Sequence, residues 1–455
     1  MDDYRELSQT LSVCPICLEK IPASYTVHPD GHVYLDKDCP SHGHFSTIVW
    51  RDNPDFESWT MRSTPYPTEH PSTSIIRGCP YDCGLCPDHQ QRPCCVLLEV
   101  TRRCNLGCPV CYASSDEYSD LDPSLETIHG WFQMLLTAGG PFNIQLSGGE
   151  PTVRDDLPEI IRMGKEMGFG FFQLNTNGIR IAQEKGYLES LSEAGLSVVY
   201  LQFDGTEDTI YRKIRGQDLY QTKLKVMERC KEVGIGLVLV PTVIPGVNDE
   251  NLGEIIRLAV SNLPIVRCVH FQPISYMGRY EKTPENADRI TLPELMRKIE
   301  EQTNGLIHIE NFKPCSGQHP KCGFQANFLH TEDGSLIPLS KFNPDEISSG
   351  CCSLSGDRQN SSQKAQNFVA KTWTLRNPKE GKQSDYKIVS DWDSFLENRQ
   401  KNHFTISAMA FQDAWNLDLE RLKRCYIMIV SPDSRLIPFC AYNLSNRDGE
   451  TLYRK

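Results

Sequence analysis

"GCPYDCGLCPDHQQRPCCVLLEVTRRCNLGCPVC" spans Gly78 to Cys111 and carries eight of the chain's 19 cysteines. Within it the spacing Cys-x3-Cys-x2-Cys occurs twice, as Cys79, Cys83, Cys86 and as Cys104, Cys108, Cys111. Between the triads the apolar run "VLLEVT" (96–101) reads as a buried strand, so the second triad sits on the loop at that strand's carboxyl end. Three thiolates on a [4Fe–4S] cube leave one iron without a protein ligand. An open position marks a reactive metal, by the logic that separates catalytic from structural zinc. The second triad is therefore expected to hold a cluster that a further molecule can coordinate.

Downstream of that strand the chain alternates apolar runs with amphipathic segments. "NIQLSG" (143–148), "GFFQLNT" (170–176), "SVVYLQFD" (197–204), "GLVLVPTVI" (236–244) and "VRCVHFQPI" (266–274) read as five more strands. The segment 124–138 places Leu125, Ile128, Met134, Leu135 and Ala138 on one helical face, with Asp122 as N-cap and Pro123 at the first helical position. Leu157, Ile160, Ile161 and Gly164 do the same over 157–167, and Gly168 can end that helix. Six βα units predict parallel strands with right-handed crossovers, in an incomplete barrel or a doubly wound sheet. Either way the chemistry belongs at the carboxyl ends of the strands.

The second triad, together with "LSGGEP" (146–151) directly after the next strand, resembles the signature of the radical S-adenosylmethionine (SAM) superfamily. That resemblance implies an α/β fold, a partial (β/α)6 TIM-like barrel. It also implies a catalytic [4Fe–4S] cluster on Cys104, Cys108 and Cys111, with SAM as cofactor. Gly148, Gly149 and Glu150 are expected to hold the methionine amino group. Asn175 and Thr176 in "QLNTNG" (173–178), with Gln202 and Asp204 in "LQFDG" (201–205), fall where the family contacts ribose and carboxylate. "VIPGVND" (243–249) resembles the segment that touches adenine. One departure is Val110, where the family often has an aromatic residue; Tyr112 just beyond is the expected substitute.

The remaining cysteines suggest further metal sites. Cys14 and Cys17 are followed by Cys39 and His42, the pattern of a tetrahedral knuckle for one zinc or one mononuclear, rubredoxin-like iron, with His44 as the alternative fourth ligand. The first triad lies on no barrel strand, so an auxiliary [4Fe–4S] cluster closed by Cys94, Cys95 or Cys440 is expected there, with a zinc knuckle as the alternative. Cys315, Cys322, Cys351 and Cys352, with Cys425 and Cys440 beyond, suggest a second auxiliary cluster. Cys230 and Cys268 fall on apolar faces and read as core residues.

The chain has 455 residues, 39% hydrophobic and 23% charged, as a globular protein has. Its order of motifs divides it into a knuckle module (1–60), an auxiliary-cluster segment (61–95), the barrel (96–312) and a C-terminal extension (313–455) that includes a polar excursion over 353–368. A formal charge of −12 argues against nucleic acid as a partner. "MDDYRELSQTLSV" has no apolar core, and no run approaches the length of a membrane span, which predicts a cytoplasmic location, with peripheral membrane contact left open. An N-terminal CxxC, a first CxxxCxxC, "EVTRRCNLGCPVC" and a late "LIPFCAYN" resemble, in that order, the group of archaeal tetraether lipid synthases and class D radical SAM methyltransferases. The resemblance implies a 5′-deoxyadenosyl radical that abstracts hydrogen from an unactivated carbon. Carbon–carbon coupling of lipid chains or methylation of a pterin-like small molecule then follows, with electrons from a low-potential donor such as ferredoxin or flavodoxin. A radical SAM peptide maturase and a zinc-knuckle interaction module are the competing readings.

Overall fold

A computed structural model describes every residue except 1–3, 62–64, 69–70, 117–121, 316, 332, 343–360, 376–401 and 455. The chain starts with four antiparallel strands in sequence order: β1 (Arg5–Val13), β2 (Lys20–Val27), β3 (Val33–Cys39) and β4 (Gly43–Trp50). Ile21, Ala23, Tyr25, Val33 and Leu35 are buried, so β2 and β3 show the period of two that a half-buried sheet requires. The turn after β1 carries Cys14 and Cys17, and the turn after β3 carries His42 beside Cys39. Two neighbouring hairpin turns thus bring two ligand pairs to one end of the sheet.

The second sheet begins with β5 (Cys95–Thr101), buried at every position. It continues through β6 (Asn143–Gly148), β7 (Phe172–Thr176), β8 (Val198–Gln202) and β9 (Gly236–Val240), a short β10 (Thr242–Val243), and β11 (Val266–Pro273). Neighbouring strands of this run are parallel. These seven strands occupy the six apolar runs of the sequence, the run 236–244 holding both β9 and β10, because strands covered on both faces are written as near-continuous apolar segments. Between them lie α1 (Leu125–Thr137), α2 (Leu157–Glu166), α3 (Ile179–Gln183), α4 (Tyr187–Ala194), α5 (Asp208–Arg215), α6 (Tyr220–Val233) and α7 (Leu252–Ser261). Cys230 and Cys268 are fully buried, as core residues are.

The start of α1 differs from the sequence expectation. Ser124, not Asp122, is its N-cap, with Oγ accepting the Thr127 amide at 3.1 Å, and Pro123 precedes the helix. Asp122 is drawn away by Arg103 and by the Thr101 hydroxyl at 2.5 Å. An ion pair outweighs the cap it displaces, since a neighbouring serine can cap equally well.

After α8 (Leu292–Gln302) come β12 (Lys313–Pro314), β13 (Gly323–His330), β14 (Leu336–Pro338), α9 (Ser361–Trp373), β15 (His403–Met409), β16 (Ile427–Val430) and β17 (Leu436–Pro438). β15 adds in parallel to β11, and β16 adds in parallel to β5 at the opposite edge. The C-terminal residues therefore extend the parallel run at both edges, and antiparallel β13 and β17 flank it. The polar stretch 353–368, expected as an excursion, supplies the first turns of α9 from residue 361; residues 353–360 lie outside the described residues. α9 crosses the amino-terminal ends of the strands. Asn143 Nδ2 donates to Gln366 O at 3.1 Å, and Arg267 Nε to Thr372 O at 2.9 Å.

Candidate functional site

Cys104, Cys108 and Cys111 follow β5 and line the mouth of a cavity of about 510 Å³ that runs into the barrel. Their loop is held through its own backbone groups. Cys104 donates its amide to Asp116 O at 2.9 Å, and Cys111 exchanges two amide–carbonyl bonds with Arg279, each 2.9 Å. Arg279 also donates Nε to Cys108 O at 2.8 Å and Nη2 to Ser115 O at 3.0 Å. Arg279 is a residue the sequence reading missed; an arginine after a strand carries no signal of what it will bridge. Burial, with Glu150 and the two other thiols nearby, pushes the Cys104 thiol up to about 12. Such a group is inert as a thiol and becomes a thiolate when iron compensates its charge. Three sulfur donors converging on one cavity mouth fit a three-thiolate [4Fe–4S] cluster.

The Gly148-Gly149-Glu150 segment lies against this loop. A Cβ at Gly148 would overlap the Thr101 carbonyl oxygen, and one at Gly149 that of Arg103. Only glycine allows the end of β6 to pass so close to β5, and Gly148 also has φ +128°. Glu150 is 2% exposed and fixed by four donors. Its Oε1 accepts from the Thr152 amide (3.1 Å), Thr152 Oγ1 (2.5 Å) and Thr176 Oγ1 (2.6 Å), and its Oε2 from the Asn177 amide (2.7 Å). Burial raises its carboxyl above the ordinary range against the pull of these donors.

Tyr112 lines the same cavity, with its hydroxyl 3.1 Å from Ser147 Oγ and its ring 5.3 Å from that of Phe439. Burial pushes its hydroxyl up to about 12. Asn175 Nδ2 donates to Ser147 Oγ at 3.3 Å. Asn175, Thr176 and Gln202 all line the cavity.

Asp204 does not. It is fully buried, and Arg215 Nε and Nη2 grip its two oxygens at 2.7 and 2.8 Å. Its partner Arg215 lines the cavity. A carboxylate without solvent requires a paired cation, and the arginine at the end of α5 supplies it. The Gln202 carbonyl, oriented to satisfy both groups, accepts from Arg215 Nη1 at 3.0 Å. In "VIPGVND", Asn248 Nδ2 donates to Asp204 O and Thr242 O, both at 2.8 Å, tying that loop to the end of β8.

At the N-terminal sheet, Cys14, Cys17, Cys39 and His42 place their ligand atoms within 4.8 Å of one another. His42 Nδ1 lies 3.5 Å from Cys14 Sγ and 3.4 Å from Cys39 Sγ. His44, the alternative ligand, points to Asp38 Oδ1 at 3.0 Å. Three thiols and one imidazole at this spacing fit one tetrahedral ion.

The remaining cysteines lie before or at the start of β5 and along the C-terminal segment. Cys440 sits beside Cys425 and Cys322, and Cys315 beside Cys322. Cys440 is buried in one apolar cluster with Cys83 and Cys95 and also lies near Cys425 and Cys322. Spacing along the chain cannot reveal which sets meet in space. Cys351 and Cys352, expected with Cys315 and Cys322, lie outside the described residues. In the first triad, Cys79 lies near both Cys83 and Cys86. Tyr453 from the C-terminal segment braces that loop: its hydroxyl accepts the Cys83 amide at 2.9 Å and donates to Pro80 O at 2.7 Å. Cys94 and Cys95 instead line the barrel cavity, where Cys95 Sγ lies 3.7 Å from Gln145 Oε1.

The radical SAM superfamily model matches residues 98–259, and that of an HMPTM N-terminal zinc ribbon domain matches residues 6–51. The chain is 38% identical to a 7,8-dihydro-6-hydroxymethylpterin dimethyltransferase of Methanocaldococcus jannaschii, over 96% of this chain and 94% of that protein. It is 28% identical to a PqqA peptide cyclase of Bradyrhizobium diazoefficiens, over 49% of this chain and 58% of that one. Among solved structures, Streptococcus suis SuiB bound to its precursor peptide SuiA matches with a TM-score of 0.40 at 15% identity, covering 48% of this chain and 46% of that one.

Proposed function

This chain belongs to the radical SAM superfamily, and we propose that it is a C-methyltransferase acting on a reduced pterin. The observation that carries the reading is similarity to a pterin dimethyltransferase along nearly the whole of both chains, metal ribbon and C-terminal strands included. Similarity to a peptide cyclase covers only about half of this chain. When bound, the cluster and SAM supply the one-electron cleavage that yields a hydrogen-abstracting 5′-deoxyadenosyl group.

The chain's own residues orient and enclose. Arg279 fixes the loop of Cys104, Cys108 and Cys111, and Glu150, held by four donors, offers a carboxylate to the methionine amino group. Arg215, paired with Asp204, presents a cation to an anionic group of the cofactor. Helix α9 covers the amino-terminal end of the barrel, which keeps water from the reacting carbon.

The other metal sites complete the proposal. Cys14, Cys17, Cys39 and His42 hold a structural zinc or iron that locks two hairpin turns. Cys315, Cys322, Cys425 and Cys440 hold one auxiliary [4Fe–4S] cluster. Cys79, Cys83 and Cys86 hold another, with its fourth ligand unassigned. A low-potential ferredoxin or flavodoxin in a reducing cytoplasm suits thiol-held iron of this kind. Among the described residues no helix is long and apolar enough to cross a membrane.

The test is incubation of the reconstituted protein with 6-hydroxymethyl-7,8-dihydropterin, SAM, a reductant and a one-carbon donor. Methylated pterin by mass spectrometry supports the reading. 5′-Deoxyadenosine without any modified pterin, across the available one-carbon donors, refutes it.

A further inference from the structure

Beyond the cofactor end, the barrel interior is lined by amides. Gln145 on β6, Gln173 on β7, Gln272 on β11 and Gln325 on β13 all border the same cavity. Barrel interiors filled only for packing carry branched apolar residues at such positions. Gln173 is 4% exposed, and among the described residues its side chain makes no hydrogen bond. The indole N–H of Trp373, at the end of α9, is buried without an acceptor among the described residues. Unpaired amides and indoles cost folding free energy, so the wall is built for something other than packing.

The lining is also nearly neutral. Past Glu150 and Arg215 its one permanent charge is Lys364, exposed on α9. His270 Nδ1 is paired with Ser407 Oγ at 2.8 Å, and burial lowers it to about 4, so it adds no charge near neutral pH. The rings of Tyr200 and Trp373 stand 6.0 Å apart at 33°, offering aromatic surface beside the amides. A hydrocarbon chain would leave Gln173 and the Trp373 indole N–H without partners, and an ionic peptide would find few countercharges.

We propose that this chamber is the ring-recognition site, in which Gln145, Gln173, Gln272 and Gln325 read the lactam and amino edge of a neutral pterin over a floor formed by α9. The assignment rests on the methyltransferase reading above. A pterin's pyrimidinone edge alternates donors and acceptors, and each glutamine amide offers both, so a planar neutral heterocycle is the ligand that satisfies the wall. α9 supplies part of the site although it lies beyond the residues matched by the superfamily model. Its Trp373 is the group with which this chain adds a donor of its own.

The test is anaerobic equilibrium dialysis of the reconstituted full chain against 6-hydroxymethyl-7,8-dihydropterin with SAM present. Gln173→Leu and Gln272→Leu should each weaken pterin binding about tenfold or more, the effect of removing a partner from a buried polar group. Iron content and SAM affinity should stay at wild-type levels. Trp373→Phe, which removes only the indole N–H, should weaken pterin binding by a smaller factor and serves if a glutamine variant fails to fold. Wild-type pterin affinity in the folded variants overturns the chamber assignment while leaving the methyltransferase reading intact. A wild-type protein that binds no pterin overturns that reading, and the chamber with it.

Discussion

Arg215 holds Asp204 by two hydrogen bonds, 2.7 Å from Nε and 2.8 Å from Nη2, with 7% of the arginine side chain exposed and none of the aspartate's. The pair joins the end of β8 to α5 directly beneath the cavity, so its first effect is on the wall of the site rather than on catalysis. Asp204→Asn leaves the guanidinium buried without its counterion. Unfolding by urea should show a loss of about 3–5 kcal/mol, the cost of breaking a buried pair from one side. Unchanged stability with weakened SAM binding would return Asp204 to the direct cofactor contact that the sequence suggested.

The choice between His42 and His44 is checked by metal analysis. His42→Ala should lower the metal content of the N-terminal site, because His42 Nδ1 is the fourth ligand atom of the group. His44→Ala should leave the stoichiometry unchanged, since that ring faces Asp38.

Cys440 tests the grouping of the auxiliary ligands. Cys440→Ala and Cys322→Ala should remove the same iron, about four atoms per chain if a cube is lost. Combining the two should remove no more than either alone. Additive iron loss would place Cys440 with Cys79, Cys83 and Cys86, as the sequence alone suggested.

His270 gives a pH dependence with a defined sign. Burial lowers its folded value from the ordinary 6.5 to about 4. Between these values the unfolded chain binds a proton that the folded chain does not, so stability falls as pH drops from about 6.5 toward about 4. At most about 1.4 kcal/mol is lost per pH unit. Relative to His270→Gln, the wild type should therefore lose stability between pH 7.5 and 5.5, and parallel curves for the two proteins would contradict this.

How much was legible in the sequence follows from which interactions are local. β5 to β11 could be read because doubly covered parallel strands are mostly apolar, and the glycines at 148 and 149 mark a close approach that nothing else permits. β15 and β16 could not, because their partners β11 and β5 lie far away in the chain. α9 is written in Ser, Gln, Asn and Lys, which reads as loop until the barrel end it covers is known. Where Asp204 points was not legible, because a polar residue after a strand can face the cavity or turn behind it, and the partner, Arg215, decides.

The central claim is that Cys104, Cys108 and Cys111 at the mouth of the barrel carry the cofactor chemistry. The most direct measurement is 5′-deoxyadenosine formed from SAM under strong reductant by the reconstituted protein in which all three are alanine. The account predicts that the product disappears while the N-terminal metal and the iron of the other cysteine groups remain. Undiminished 5′-deoxyadenosine in that variant would contradict it.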